Sequence, residues 1–382
     1  MQLNERVIID CAKKSSDASG NRVADCITKA LPAARDAEPV SNSQTSDDGI
    51  EPDLTDYVKP KGPGLVDEDY LICCNVVTAF ATKQKIWVEM VLVSQLSKIV
   101  FNEDPFKSLQ FPADKKQFIR RLVEGFKSDR SNSYDDVVDG KGKGLIFLLY
   151  GPPGLGKTLT AESVAEVAQR PLYHVSAGEL STHVSSLERE LLEIFEMGAR
   201  WDAVVLLDEA DVLMSRRTAD NLERNSVVAV FLRMLEYYSG MLFLTTNRRD
   251  DFDDAFFNRI HVTIEYGELD AVSRTNIWRH HLGRALKTNT QPSTWTGEIY
   301  TTLGRLALNG RDIKNYVRTA HAYTTAEEGE DLTLAQVLIV LRNSLPGSSI
   351  SGSIPSDSPG LTREEILQEL DRLLLKMKDS VT

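Results

Sequence analysis

The stretch "FLLYGPPGLGKT", Phe147 to Thr158, sends an apolar run straight into three glycines, two prolines, a lysine and a threonine. The run from Leu145 to Tyr150 has the continuous apolar character of a buried parallel strand. The turn residues after it have the spacing Gly151, four residues, then Gly156-Lys157-Thr158, the pattern of a phosphate-binding loop. Its glycines let the backbone curl so that N–H groups point into an anion-sized concavity. The next segment, "TLTAESVAEVA", reads as a helix whose N-terminus adds its positive dipole end. Lys157 is expected to reach the β- and γ-phosphates of a nucleotide, and Thr158 to place its hydroxyl on Mg²⁺. The candidate nucleotide contacts are Gly151, Pro152, Pro153, Gly154, Leu155, Gly156, Lys157, Thr158 and Leu159. Strand, loop and helix occur in the order that the motif requires.

Two further apolar runs end in polar residues. "AVVLLDEAD" ends in Asp208 and Glu209. Carboxylates at the C-terminal ends of parallel strands stand where α/β sheets bind ligands. Asp208 is expected to hold Mg²⁺ through water, because that ion keeps much of its hydration shell. Glu209 is expected to polarise an attacking water. "MLFLTTN" ends in Asn247, whose amide would orient that water or touch the γ-phosphate. By itself an asparagine there is an ordinary turn residue. Arg259, in "FFNRIH", has no evident partner in the sequence.

The runs alternate with helical patterns. "LIFLLY", "LYHVSA", "AVVLLD", "MLFLTT" and "HVTIEY" read as strands. "SLERELLEIFEMGARW" and "SVVAVFLRMLEYY" read as helices, the second with Val227, Val230, Phe231, Met234 and Leu235 on one face. That alternation predicts a parallel α/β sheet over residues 131–268. After Tyr266 the strand pattern stops, and residues 269–345 read as a small all-helical domain. Residues 346–360 read as a flexible linker. Residues 361–382 read as an amphipathic helix opened by a Thr362–Glu365 capping box. Upstream, residues 1–60 are rich in Ser, Asp and Asn and read as disordered. Residues 61–130 read as a short α/β region with two strands and an amphipathic helix carrying Phe118, Ile119, Leu122 and Phe126 on one face.

Composition limits the function classes. With 42% hydrophobic and 26% charged residues the chain has an ordinary globular balance. A net charge of −12 argues against broad nucleic-acid or anionic-membrane binding. Cys11, Cys26, Cys73 and Cys74 form no C-x-x-C pair and point to free thiols in a reducing compartment. No run is long enough to span a membrane, and the first residues have no signal-peptide core. Cytoplasm or nucleus is the expected location. The six histidines suggest no metal site, since His280 and His281 are adjacent on a predicted helix and point in different directions.

Together these motifs resemble the AAA+ ATPases, from about Tyr134 to Asn343. "GPPGLGKT" is similar to their Walker A motif, "VVLLDEAD" to Walker B and "TTN" to sensor 1. The order and spacing are specific. Within the family, "KGKGLIFLLYGPPGLGKTLTAESVAE" and "RNSVVAVFLRMLEYYSGMLFLTTNR" most resemble a little-characterised fungal group with its own N-terminal domain. The resemblance implies a P-loop NTPase α/β fold with five strands in the order 5-1-4-3-2, followed by the helical lid. It implies ATP and Mg²⁺ as ligands, bound at a subunit interface of a homo-oligomeric ring, usually a hexamer. Carried over by position, Arg259 matches the arginine finger that reaches a neighbour's γ-phosphate, and Arg311 matches the sensor 2 arginine of the lid.

The chain departs from the family pattern in two places. Many relatives carry a pair of arginines at the finger, and this chain has Arg259 alone. Threading members carry an aromatic residue in the loop after the second strand, where "AGELSTHVSSLE" offers His183 and Val184. Three functions therefore stay open. One is an ATP-hydrolysing machine that remodels an unknown protein substrate. Another is an ATP-dependent assembly module with little turnover. The third is a nucleic-acid motor, which the acidic balance and the lack of a basic, aromatic-interleaved segment oppose.

Overall fold

The structure is a computed structural model describing residues 5–10, 75–128, 142–217, 221–248, 252–286, 295–326, 332–344 and 362–379. It divides into two units, residues 1–99 and 100–382.

In the first unit, β1 (Val7–Ile9), β2 (Val76–Ala81) and β3 (Ile86–Leu92) form an antiparallel sheet in the order β1-β2-β3. The strand at Val7–Ile9 is a difference from the disorder expected of residues 1–60; its partner Ala79–Ala81 lies far along the chain, so local composition does not reveal it. Residues 11–60, and the expected linker at 346–360, lie outside the described residues.

The second unit is built on β4 (Leu145–Tyr150), β5 (Leu172–Ser176), β6 (Val204–Asp208), β7 (Met241–Thr246) and β8 (Val262–Glu265). They form a parallel sheet in the order β5-β6-β7-β4-β8. Numbered from β4, this is the expected 5-1-4-3-2 order read from the other edge. All of β4 and β7 is buried, as is β6 up to Leu207, which is why these strands are continuous apolar runs rather than alternating ones. Phe147 and Phe243 stack across the β4–β7 pair with ring centroids 4.4 Å apart.

Two helices precede the sheet, α1 (Asp104–Ser108) and α2 (Ala113–Ser128). Phe106, Leu109, Ile119 and Val123 bury in the same apolar cluster as β4, β7 and the helix after β4. This part of the expected 61–130 region thus belongs with the sheet, not with β2 and β3. The buried stripe of α2 runs through Ile119 and Val123, while Phe118 is 53% exposed.

The helices between the strands are α3 (Lys157–Ala168), α4 (Val184–Arg200), the short α5 (Asp211–Met214) and α6 (Leu222–Tyr237). After β8 come α7 (Ala271–Ala285), α8 (Gly297–Gly304), α9 (Gly310–Ala326), α10 (Leu334–Ser344) and α11 (Arg363–Asp379). They share one core containing Trp278, Leu282, Ile299, Leu303, Ile313, Val337 and Leu341. Ile366, Leu367, Leu370 and Leu373 of α11 join that core, so the terminal helix packs with the helices that follow β8. Glu369 and Asp371 pair with Arg305 and Arg342 at its border. Among the described residues no helix is long and apolar enough to cross a membrane.

Candidate functional site

Two glycines of the loop between β4 and α3 are required by close approach and by backbone conformation. Gly151 has φ +138, and a Cβ there would lie 2.3 Å from the Tyr266 carbonyl oxygen, which is immovable backbone. Gly154 has φ +78, and a Cβ there would lie 2.6 Å from Asn309 Oδ1 of the lid. Gly156 caps α3 in the left-handed region, and no side chain caps that helix N-terminus. The first-turn N–H groups therefore face the loop without a side-chain acceptor, as an anion site requires. Pro152 and Pro153 are exposed, Leu155 packs on the apolar cluster, and Leu159 is exposed one residue after Thr158.

Lys157 is buried at the start of α3. Its Nζ donates to Gly151 O at 2.7 Å, Pro152 O at 2.8 Å and Asn247 Oδ1 at 2.9 Å. Burial holds its pKa below that of an ordinary lysine, with Asp208 and Asp211 opposing and Arg311 adding to the effect. Thr158 Oγ1 lies 3.1 and 3.3 Å from the Asp208 carboxylate oxygens. Asp208 also accepts from the Thr245 hydroxyl. Burial alone would push the Asp208 carboxyl up; contacts from His174, Thr245 and Thr158 outweigh it and bring it down to about 2. The group is thus a carboxylate at every physiological pH.

Glu209 comes next with φ 58, an unusual left-handed conformation for a residue with a side chain. Two contacts fix it: its N–H donates to Thr245 Oγ1 at 3.1 Å, and Ala210 N–H donates to Thr245 O at 2.9 Å. The turn leaves the Glu209 side chain exposed at the C-terminal edge of the sheet, beside an exposed Asn247. Lys157, Thr158, Asp208, Glu209 and Asn247 thus come together at the ends of the adjacent strands β6, β7 and β4.

The lid completes this edge. Asn309 caps α9 by accepting from Asp312 N–H at 2.9 Å, and Arg311 N–H donates to Gly154 O at 3.3 Å. Arg311 therefore starts α9 directly over the loop, with an exposed side chain. Arg259 is held elsewhere. Its Nη1 donates to Ala255 O at 2.9 Å, its Nη2 is 3.4 Å from Glu236, and its side chain is 26% exposed. A separate clasp joins its segment to the residues after β6: Ser215 bridges Phe252, and Arg217 binds Asp253 at 2.6 and 3.0 Å.

Sequence reading missed Thr245, Asn309 and His174. Thr245 is visible as the first residue of "TTN", but its tie to Asp208 needs the β6–β7 pairing. Asn309 reaches the loop at Gly154 only through tertiary packing. His174 Nε2 stands 3.4 Å from Asp208 Oδ2, which no motif announces. The loop at Thr182 and His183 is exposed, His183 by 82%, with Nδ1 4.0 Å from Glu223.

The oxygen pair of Thr158 and Asp208 suits a hard cation that keeps water and phosphate ligands, as Mg²⁺ does. The uncapped helix end and the Lys157 ammonium suit a phosphate chain. The donor set therefore fits Mg²⁺ with a nucleotide.

Residues 147–268 match the family described as "ATPase family associated with various cellular activities (AAA)". The chain is similar to the ATP-dependent zinc metalloprotease YME1 homolog of Caenorhabditis elegans. The identity is 27% over 198 residues, covering 49% of this chain and 27% of that protein. It is similar to Protein CdcH of Halobacterium salinarum, 32% identical over 169 residues, covering 41% of this chain and 22% of that one. It is also similar to a 26S proteasome regulatory subunit 7 homolog of Saccharomyces cerevisiae, 32% identical over 147 residues, covering 35% and 32%. Well under half of each relative's length is matched. None of the chain's histidines stands in the His-Glu-x-x-His run of a zinc protease.

Proposed function

From the premise that residues 147–268 are an AAA ATPase domain, we propose that the chain hydrolyses ATP and couples it to remodelling a bound protein or complex. The observation that carries this reading is the convergence of Lys157 with Asn247, and of Thr158 with Asp208, at one sheet edge. Residues 131–268 act as the α/β ATPase body and residues 269–345 as its lid.

Phosphoryl transfer needs positioning and charge neutralisation more than covalent chemistry. The glycine loop and Lys157 bind the phosphates. A Mg²⁺ held by Thr158 and Asp208 would supply further charge neutralisation when bound. Glu209 accepts a proton from the attacking water, and Asn247 orients that water. Arg311 approaches the phosphates from the lid. Arg259 serves the neighbouring subunit of a homo-oligomeric ring. The substrate is a protein, and the net charge of −12 argues against nucleic acid as the partner.

A second reading has its own observation. Arg259 is engaged by Ala255 and Glu236 of its own chain. An arginine so engaged favours an assembly module with little turnover, in which ATP binding alone drives association. Size measurement in ATP, in ADP and without nucleotide, with phosphate release followed in parallel, separates the readings. Hydrolysis by wild type and its loss in Glu209→Gln, with ATP-dependent assembly in both, fits the first. Assembly without phosphate release in wild type fits the second, and no response to nucleotide overturns both.

A further inference from the structure

The strand register brings one residue to the site that no phosphate-binding motif contains. In the β5–β6 pair His174 lies opposite Leu206 and Ser176 opposite Asp208. Paired residues of neighbouring parallel strands share a sheet face, and side chains alternate with period two. His174 and Asp208 are therefore diagonal neighbours on one face, within reach of a long side chain. Nε2 of His174 stands 3.4 Å from Asp208 Oδ2. That nitrogen is buried and makes no well-formed hydrogen bond, and Asp208 Oδ2 stands close enough to accept from it after a small shift. The side chain as a whole is 40% exposed.

The other partners of Asp208 define what this nitrogen does. Thr245 donates to Oδ1, and Thr158 lies near both oxygens. Thr158 is assigned to the cation in the reading above, so it is a poor permanent anchor. Thr245 fixes one carboxylate oxygen only. A carboxylate held at one oxygen still rotates about its Cβ–Cγ bond. A donor on Oδ2 removes that freedom. Glu162 of α3 is a second acid near the ring and interacts electrostatically with both His174 and Asp208.

We propose that His174 is a positioning residue for the cation-holding carboxylate, its Nε2–H donating to Asp208 Oδ2 while Thr245 holds Oδ1. The inference rests on the reading of Thr158 and Asp208 as the Mg²⁺ site. Outer partners that orient a metal-holding group typically contribute about 10–100-fold in metal affinity.

The test uses the full chain, a fluorescent ADP analogue and Mg²⁺. H174L removes the donor; H174Q restores one at the reach of Nε2. The Mg²⁺ concentration at half-maximal nucleotide binding is read for each variant, and nucleotide affinity is read again in EDTA. The expected result is a midpoint raised about 10–100-fold in H174L, a midpoint near wild type in H174Q, and unchanged affinity in EDTA for both. An unshifted midpoint in H174L overturns the proposal. So does an H174Q midpoint displaced as far as that of H174L, because packing and not donation would then be the role. Equal loss of affinity with and without Mg²⁺ overturns it as well. Absence of any Mg²⁺ dependence in wild type would instead sink the reading of the site on which the inference rests.

Discussion

Lys157 Nζ donates to Asn247 Oδ1 at 2.9 Å, joining the first turn of α3 to the end of β7 across 90 residues of sequence. The same ammonium holds Gly151 and Pro152 carbonyls, so one cation sets the spacing between loop and asparagine. The two residues should nonetheless fail differently. Lys157→Ala removes the loop's cation and should abolish nucleotide binding by calorimetry. Asn247→Ala leaves that cation in place. It should keep nucleotide affinity within a few-fold while single-turnover hydrolysis falls by about 10²–10³, the usual cost of losing one positioned donor. Equal loss of binding in both would mean that Asn247 is structural.

Glu209 sits at φ 58 because Thr245 straps its N–H and the next one to β7. The strain fixes where the carboxylate emerges. Glu209→Gln keeps the shape and removes the proton acceptor. Turnover should drop by about 10²–10⁴ with ATP still bound. Phosphate release at half the wild-type rate would place the base elsewhere.

Acidification should destabilise the chain through two histidines. His261 Nδ1 accepts from Ile146 N–H at 3.1 Å, and burial holds its pKa below the ordinary 6.5. Burial first, then His280, Lys314 and Arg284, bring His281 down to about 4. Folding disfavours the protonated form of both rings, so the unfolded chain binds more protons than the folded one as pH falls through 6.5. Their contribution is therefore complete above 6.5 and is lost as pH falls toward their folded values. Melting temperature should decline from pH 6.5 to 5, and His261→Asn with His281→Gln should flatten that decline. A slope unchanged by both substitutions would assign it to other groups.

The sheet was legible because β4, β6 and β7 are buried on both faces, which writes them as unbroken apolar runs. That Lys157, Thr158 and Asp208 stand at one sheet edge was legible because each sits a short, fixed distance from the end of an apolar strand run. His174 and Thr245 were not, because each meets Asp208 through strand pairing, Thr245 across 37 residues of sequence. The stripe of α11 announced an apolar face without saying which surface it covers; the answer, the core of the helices that follow β8, is tertiary. In α2 the periodicity was right, but Phe118 lies beside the buried stripe and Val123 within it.

Arg259 is proposed to act on a neighbour's nucleotide, yet its own chain holds it through Ala255 and Glu236. Arginine fingers contribute about 10³–10⁵ in turnover in related chemistry. Arg259→Ala and Glu209→Gln should each be nearly inactive alone. Mixed rings should regain activity, because an intact arginine then meets an intact glutamate at some interfaces. No recovery, with mixed assembly confirmed by pull-down of two tags, would count against action between subunits. Glu236→Gln, which loosens the guanidinium, should raise turnover or leave it unchanged rather than abolish it.

The last expectation concerns what the hydrolysis drives. A ring that threads polypeptide needs side chains in its channel that hold any sequence. Aromatic rings do so, because they bury much apolar area at low entropic cost. Here the loop before α4 offers Thr182 and His183, both exposed, with Val184 half-buried. His183 is aimed at Glu223, 4.0 Å away, and its backbone N–H donates to Ser181 Oγ at 3.2 Å. A hydrated imidazole beside a carboxylate holds apolar chain poorly. The chain should therefore remodel a specific bound partner and not unfold arbitrary proteins processively. The assay is a stable fluorescent protein carrying an unstructured tail, incubated with ATP under conditions where phosphate release is confirmed. Persistent fluorescence is the expected result. ATP-dependent loss of fluorescence, removed by His183→Ala or Val184→Ala, would show that these two residues hold polypeptide and that the chain threads it.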